Sequence, residues 1–317
     1  MTDVTIDLPA NLSYSQKSNL AECGGRYYLE RGQKVPQRPG WANVGGTAAH
    51  SATEELDRRL YESGEHIDTL PEIGEIFQSF FDQETTKTEG YSKFDRSEFR
   101  ASGRASKEWP EKETPLWWQR KGPEMCLAWV RWRDASPFQI ATVEVDDLLE
   151  NGNVGTALRL AIELECRFPL GGVEIHAFID RLMVQDTPDG PIYLVLDLKF
   201  GSREPASPDQ LLTYRAGLIA DYGIDPKYGT YWMGRKGINT PPADLHAASI
   251  EEIAYDYEKA QEQRLRGDFR YKPSMLCGSC SVNAYCPKWG GEYAKTIPQP
   301  WELTAPPTLR PPRDAVS

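Results

Sequence analysis

The sequence predicts an α/β protein: a small mixed sheet flanked by helices, with helical additions and a C-terminal cysteine knuckle. Three observations carry that expectation. Residues 161–200 hold three closely spaced strand-like runs, a helix follows them at about 208–222, and three cysteines crowd into 277–286.

In chain order, residues 1–11 read as a short flexible lead-in. Leu12-Ser13-Tyr14-Ser15 opens a helix, with Ser13 or Ser15 as N-cap, expected to run through Cys23 towards Glu30. Gly45-Gly46-Thr47 precedes a second helix, Ala48 to about Leu60, whose first turn carries His50. Residues 62–90 suit helix and loop. Strands are expected at Ile162–Phe168, Val173–Val184 and Ile192–Phe200, then a helix from Pro208 to about Tyr222 and a strand at Thr230–Met233. A last helix covers about Ile250–Leu265. The organisation is one domain over 1–298, with a helical insertion at about 62–139 and the knuckle at 277–286. A Pro-rich tail, 299–317, is expected to be disordered or wrapped on the surface.

At 317 residues the chain can bury a sizeable core, and its 39% hydrophobic and 26% charged residues are those of an ordinary globular protein. No apolar run approaches the roughly 20 residues that span a bilayer, and no basic-then-apolar signal opens the chain. A cytoplasmic protein without membrane partners is the expectation. There, six cysteines argue for metal binding or inert burial rather than disulfides. A net charge of −11 points away from a protein that coats nucleic acid, although a local basic channel is compatible with it.

The chemistry concentrates on two strands. Side chains alternate along a strand, so Asp197 and Lys199 share one face while Leu196 and Leu198 take the other. Thr187-Pro188-Asp189-Gly190 is a turn signal, which folds Asp180 back beside Asp197. Two carboxylates and one amine at a single point suit a divalent metal and a phosphate. Each piece also has a bland reading. Asp180 can pair with Arg181, Asp197–Lys199 can be an ion pair, His50 can be an ordinary helix histidine, and Gln210 and Tyr214 can be a polar helix stripe.

In combination these pieces, Gly46-Thr47-Ala48-Ala49-His50, Phe178-Ile179-Asp180, Asp197-Leu198-Lys199 and Gln210-Leu211-Leu212-Thr213-Tyr214, resemble the PD-(D/E)XK superfamily. The resemblance is to its RecB-like branch, including the CRISPR-associated and helicase-linked iron–sulfur exonucleases, and spans about residues 12–288. It implies a restriction-endonuclease-like fold and Mg²⁺ or Mn²⁺ held by Asp180 and Asp197, with His50 and the Leu198 carbonyl as further ligands. An imidazole ligand shifts preference somewhat towards Mn²⁺. Lys199 would orient or deprotonate the attacking water, or stabilise developing charge, while Gln210 and Tyr214 would position Lys199 or touch the DNA backbone. Glu165, on the preceding strand, is a candidate accessory carboxylate. Two departures stand out: Asp197 replaces the commoner Glu, and Ala177 stands where Gly is frequent, with His176 beside it unassigned.

The knuckle spacing is Cys277-x2-Cys280-x5-Cys286. A zinc hairpin would normally be answered by a second C-x-x-C pair. The resemblance instead supplies Cys23 as fourth ligand of a structural 4Fe–4S cluster, with zinc the runner-up. Cys126 and Cys166 sit in apolar contexts and read as buried, inert thiols.

Residues 94–135 interleave Arg96, Arg100, Arg104, Lys107, Arg120, Lys121, Arg131 and Arg133 with Trp109, Trp117, Trp118, Trp129 and Trp132. Stacking of single-stranded DNA is one reading; a tryptophan core with solvated charges, the favoured one, is the other. Taken together, the resemblance implies a metal-dependent DNA exonuclease acting on single strands or duplex ends. Recombination, repair, phage replication or spacer acquisition would be its setting, alone, as a homo-oligomer or with partner proteins. The alternatives are a non-catalytic DNA-end-binding adaptor and a zinc-stapled protein scaffold.

Overall fold

The computed structural model describes residues 4–101, 111–148 and 154–311. Seven helices are present among them: α1 Tyr14–Glu22, α2 Gly24–Tyr27, α3 Trp41–Arg58, α4 Leu70–Ser92, α5 Pro115–Ala135, α6 Asp209–Tyr222 and α7 Ile250–Leu265. The strands are β1 Asp7–Pro9, β2 Gln139–Ile140, β3 Thr142–Leu148, β4 Val154–Leu160, β5 Ile162–Leu170 and β6 Val173–Gln185. They continue with β7 Ile192–Lys199, β8 Tyr228–Met233, β9 Ile238–Asn239, β10 Ala243–Asp244 and β11 Thr308–Arg310. The chain is mixed α/β. It divides into two compact units, one formed by 1–38, 167–177 and 249–317, the other by 39–166 and 178–248.

The larger unit is built on a mixed sheet in the order β10-β8-β7-β6-β2, with β5 beside β6 and β9 beside β8. β6 and β7 form the expected hairpin, Arg181 opposite Leu196 and Gln185 opposite Ile192. The Thr187–Gly190 turn closes it through reciprocal backbone bonds, with Gly190 in the left-handed region at φ 112°. β8 runs parallel to β7, which requires a crossover, and α6 supplies it. On one side Leu194, Leu196, Leu198, Met183 and Trp232 pack with Ala48, Ala49 and Ala52 of α3, Phe77 of α4, and Trp118, Trp129 and Val130 of α5.

Several boundaries differ from the sequence reading. The helix carrying His50 begins at Trp41, not Ala48, so His50 sits in its third turn. Its two glycines lie inside the helix because packing requires one of them: a Cβ on Gly45 would fall 1.9 Å from the Trp118 ring. The hairpin of β3 and β4, paired from Thr142 with Leu160 to Leu148 with Val154, was not expected. Three acids in the seven residues of β3 and a glycine near the start of β4 dilute the apolar signal that marks β6 and β7.

Tryptophans in the Arg/Trp-rich stretch are core residues: Trp117, Trp118 and Trp129 are buried. Arg96, Arg120 and Lys121 pair with Glu89, Glu111 and Glu124. Trp109, Arg104 and Lys107 lie outside the described residues.

In the smaller unit Ser13 caps α1, but the helix stops at Glu22 instead of passing through Cys23. Cys23 is extended (φ −157°, ψ 99°) and its thiol caps α2 by accepting from the Arg26 amide. Part of the expected lead-in is a strand: β1 pairs in parallel with β11 of the Pro-rich tail, burying Leu8 completely. The tail is wrapped where it is described, and residues 312–317 lie outside that range.

Candidate metal site and cysteine cluster

Strand register builds the site. Beyond the Arg181–Leu196 pair the hairpin sets Asp180 alongside Asp197, and the Leu198 amide donates to Asp180 Oδ2 at 2.7 Å. Asp180 and Asp197 are buried, Asp197 to 1% exposure. Ionised groups at such depth need compensation. For Asp197 it comes from Lys199, whose Nζ lies 2.6 Å from Oδ2 as an ion pair. The same Nζ donates to Gln210 Oε1 at 3.0 Å, Gln210 Nε2 donates to the Tyr214 hydroxyl at 2.7 Å, and that hydroxyl donates to Asp197 Oδ1 at 3.2 Å. Asp197, Lys199, Gln210 and Tyr214 thus close a ring. Helical spacing of four residues puts Gln210 and Tyr214 on one face of α6, where both reach β7. Tyr214 is buried, so its hydroxyl faces the ring.

His50 Nδ1 comes to 3.5 Å from Asp180 Oδ2, and its ring hydrogen-bonds to the Leu198 backbone. Although 32% of its side chain is exposed, desolvation pushes the imidazole down to about 4, so it is neutral at pH 7 and can offer a lone pair.

The carboxylate that completes this group is Glu163, not Glu165. One ligand atom each from His50, Glu163 and Asp180 lies within 4.8 Å of the others. Glu165 is exposed, and its carbonyl accepts from the Tyr222 hydroxyl. Glu163 has a left-handed backbone (φ 48°) and shares its phase of the β5 alternation with Glu165 and Arg167, but it is half-buried where they are exposed. Burial and the neighbouring Asp180 charge push its carboxyl up to about 8, and burial pushes Asp197 to about 6.

The donor set fits a divalent metal: two hard carboxylates and a neutral imidazole converge, and a third carboxylate stands next to them. Crowded like charges hold their protons too tightly for water, which a cation would relieve.

A family model for the PD-(D/E)XK nuclease superfamily matches residues 11–287, a span that includes all of these side chains. This chain belongs to the PD-(D/E)XK nuclease superfamily. Membership brings divalent metal ions such as Mg²⁺ or Mn²⁺ and DNA as substrate. The Gene 69 protein of Mycobacterium phage L5 is 29% identical over 315 residues, covering 90% of this chain and 99% of that protein. The Gene 69 protein of Mycobacterium phage D29 is 28% identical over 303 residues, covering 89% and 98%. No helix among the described residues of this nuclease-superfamily chain is long and apolar enough to cross a membrane.

Four of the cysteines of this PD-(D/E)XK chain lie in the smaller unit. Cys23, Cys277, Cys280 and Cys286 are half-buried and unbridged. Backbone amides point at their sulfurs: Arg26 and Lys272 towards Cys23 at 3.4 and 3.5 Å, and Ser274 towards Cys277 at 3.2 Å. Val282 serves Cys280, and Lys288 and Trp289 serve Cys286. Burial pushes the Cys280 and Cys286 thiols up, and Cys23 lies near enough to add to both shifts. Cys126 and Cys166 are fully buried elsewhere, with burial driving their thiols far up, which makes them inert at neutral pH.

Proposed function

We propose that the protein is a metal-dependent DNA exonuclease acting on single strands or duplex ends, of the RecB-like branch that includes CRISPR-associated iron–sulfur exonucleases. The observation that carries this reading is the closed ring of Asp197, Lys199, Gln210 and Tyr214 beside the His50–Glu163–Asp180 group. An adaptor that merely holds DNA ends has no use for an amine kept between a carboxylate and an amide.

Asp180, Asp197, His50 and Glu163 would hold Mn²⁺ or Mg²⁺, with the Leu198 carbonyl as a further ligand. A bound divalent ion supplies Lewis-acid stabilisation of the phosphate and lowers the pKa of a coordinated water. Lys199 would act on the attacking water or stabilise developing charge: its side chain is 30% exposed, and Asp197 and Gln210 direct its amine. Tyr214 and Gln210 fix that amine in direction and so act as positioning residues. Asp180 is oriented by the Leu198 amide, which leaves its other oxygen for a ligand.

Cys23, Cys277, Cys280 and Cys286 are assigned to a structural 4Fe–4S cluster. Amides aimed at each sulfur support this, because they stabilise thiolate charge in a half-buried setting. Among the settings of recombination, repair, phage replication and spacer acquisition, relatives from two mycobacteriophages favour a phage one.

The deciding experiment incubates purified protein with end-labelled single-stranded and duplex DNA in Mn²⁺ or Mg²⁺, beside an Asp197→Ala variant. Release of mononucleotides from an end by the parent alone is the expected result. Binding of DNA ends without degradation under either metal would favour the adaptor, and equal degradation by parent and variant would expose a contaminant.

A further inference from the structure

Outside the ring and the metal-ligand group, the larger unit buries a second set of charges. Asp57, in the last turn of α3, is 0% exposed, as is Arg181, the residue after Asp180. Asp57 Oδ2 accepts from Arg181 Nε at 2.7 Å and Oδ1 accepts from Arg133 Nη1 at 2.8 Å. Both oxygens also accept from Trp129 Nε1, at 3.1 and 3.0 Å. Arg133 is held in turn by Asp134 Oδ1 through Nε and Nη2. Arg181 Nη1 donates to the Asp180 carbonyl at 2.6 Å and stands 3.8 Å from Glu163 Oε1.

We infer that Asp57 and Arg181 are positioning residues for the metal ligands. His50 and Asp57 are seven residues apart on α3, two turns along one face, and Asp180 and Arg181 are consecutive on β6. The same helix and strand are therefore joined twice, by His50 with Asp180 and by Asp57 with Arg181. The second junction sets the separation at which the first can act. Arg181 adds a further restraint by gripping the Asp180 backbone and drawing Glu163 through its charge.

Stability alone does not account for this arrangement. A buried ion pair adds little over well-packed apolar residues of the same volume. Arg181 also keeps Nη2 buried without a hydrogen-bond partner among the described residues, so its pose is dictated by Asp57 and Asp180 rather than by saturation of its own donors.

The inference rests on the reading of His50, Glu163 and Asp180 as metal ligands, and the test separates the two. Mn²⁺ affinity and EPR line shape are measured for the full chain, for Asp180→Asn, for Asp57→Asn and for the Asp57→Asn/Arg181→Met double variant. The double variant removes both charges and so leaves neither partner uncompensated. Folding is followed by circular dichroism without metal. Loss of Mn²⁺ binding in Asp180→Asn is expected, with affinity weakened about 10- to 100-fold in the folded Asp57 variants, the range for partners that orient metal ligands. Broadened Mn²⁺ lines in those variants would accompany the loss. Wild-type affinity in folded Asp57 variants, with Asp180→Asn defective, overturns the positioning role alone, as does failure of both Asp57 variants to fold. Wild-type affinity in Asp180→Asn takes the metal-site reading down with it.

Discussion

The backbone amide of Leu198 donates to the side chain of Asp180 at 2.7 Å, so the residue between Asp197 and Lys199 links the two strands that carry the site. Its side chain meanwhile points into the core with Leu196. One short strand segment thus anchors the sheet, orients one carboxylate and presents a second with its amine. That economy predicts a steep response to substitution at either neighbour.

Lys199→Met should lower the rate of DNA degradation by about 100-fold or more, the usual scale for a proton-transferring or charge-stabilising group. The fold should survive, because the Lys199 side chain is part-exposed. Rates on labelled single-stranded DNA, with circular dichroism for folding, check this.

Tyr214→Phe removes one donor to Asp197 and one acceptor for Gln210 from a buried ring. A loss of about 10-fold in kcat is expected, matching a net hydrogen-bond contribution of about 1.4 kcal/mol. KM for DNA should not move, because the hydroxyl faces Asp197 and Gln210. A rise in KM alone would place Tyr214 against the DNA backbone instead.

Glu163 and Asp197 have carboxyls pushed up to about 8 and about 6. The folded chain therefore binds more protons than the unfolded one, and their contribution to stability, complete below the unfolded carboxyl pKa near 4, is lost as pH rises through 6 and then 8. Metal-free Tm should fall between pH 5.5 and 8.5. Mn²⁺ should restore it with proton release, and Glu163→Gln should flatten the upper part of the fall. Scanning calorimetry across that range provides the measurement.

Gly45→Ala should destabilise the larger unit by about 2–3 kcal/mol, since the new methyl meets the Trp118 ring at 1.9 Å in a packed interface. Gly46→Ala, with open space at its Cβ, should be neutral or slightly stabilising. Urea titration of both variants makes the comparison.

Cys23→Ser should remove the visible colour of anaerobically purified protein and lower its Tm, whereas Cys126→Ser should leave the colour intact. A colourless parent containing zinc would replace the iron–sulfur assignment.

Local patterns made much of this legible. α7 covers Ile250–Leu265 and β6, β7 and α6 lie within two residues of their expected ends, because period-two and period-3.6 hydrophobicity report burial directly. Asp180, Asp197 and Lys199 were legible from strand faces and a turn, whereas Gln210 and Tyr214 were singled out by the family resemblance, their spacing showing only a shared helix face. Glu163 was not legible, since it shares its phase of β5 with Glu165 and only tertiary packing tells the two carboxylates apart. Glu165 took its place and proved to face solvent.

What lay in the chain alone was which side chains share a face and where each element starts. What only tertiary packing decided was which faces meet. Gly45 is required inside α3 by the indole of Trp118, 73 residues later in the numbering (118 − 45), and the pairing of Asp57 with Arg181 depends on how that helix lies on β6. Propensity is set within a few residues of sequence, whereas the burial of charge is set by elements that come together only once the core has closed.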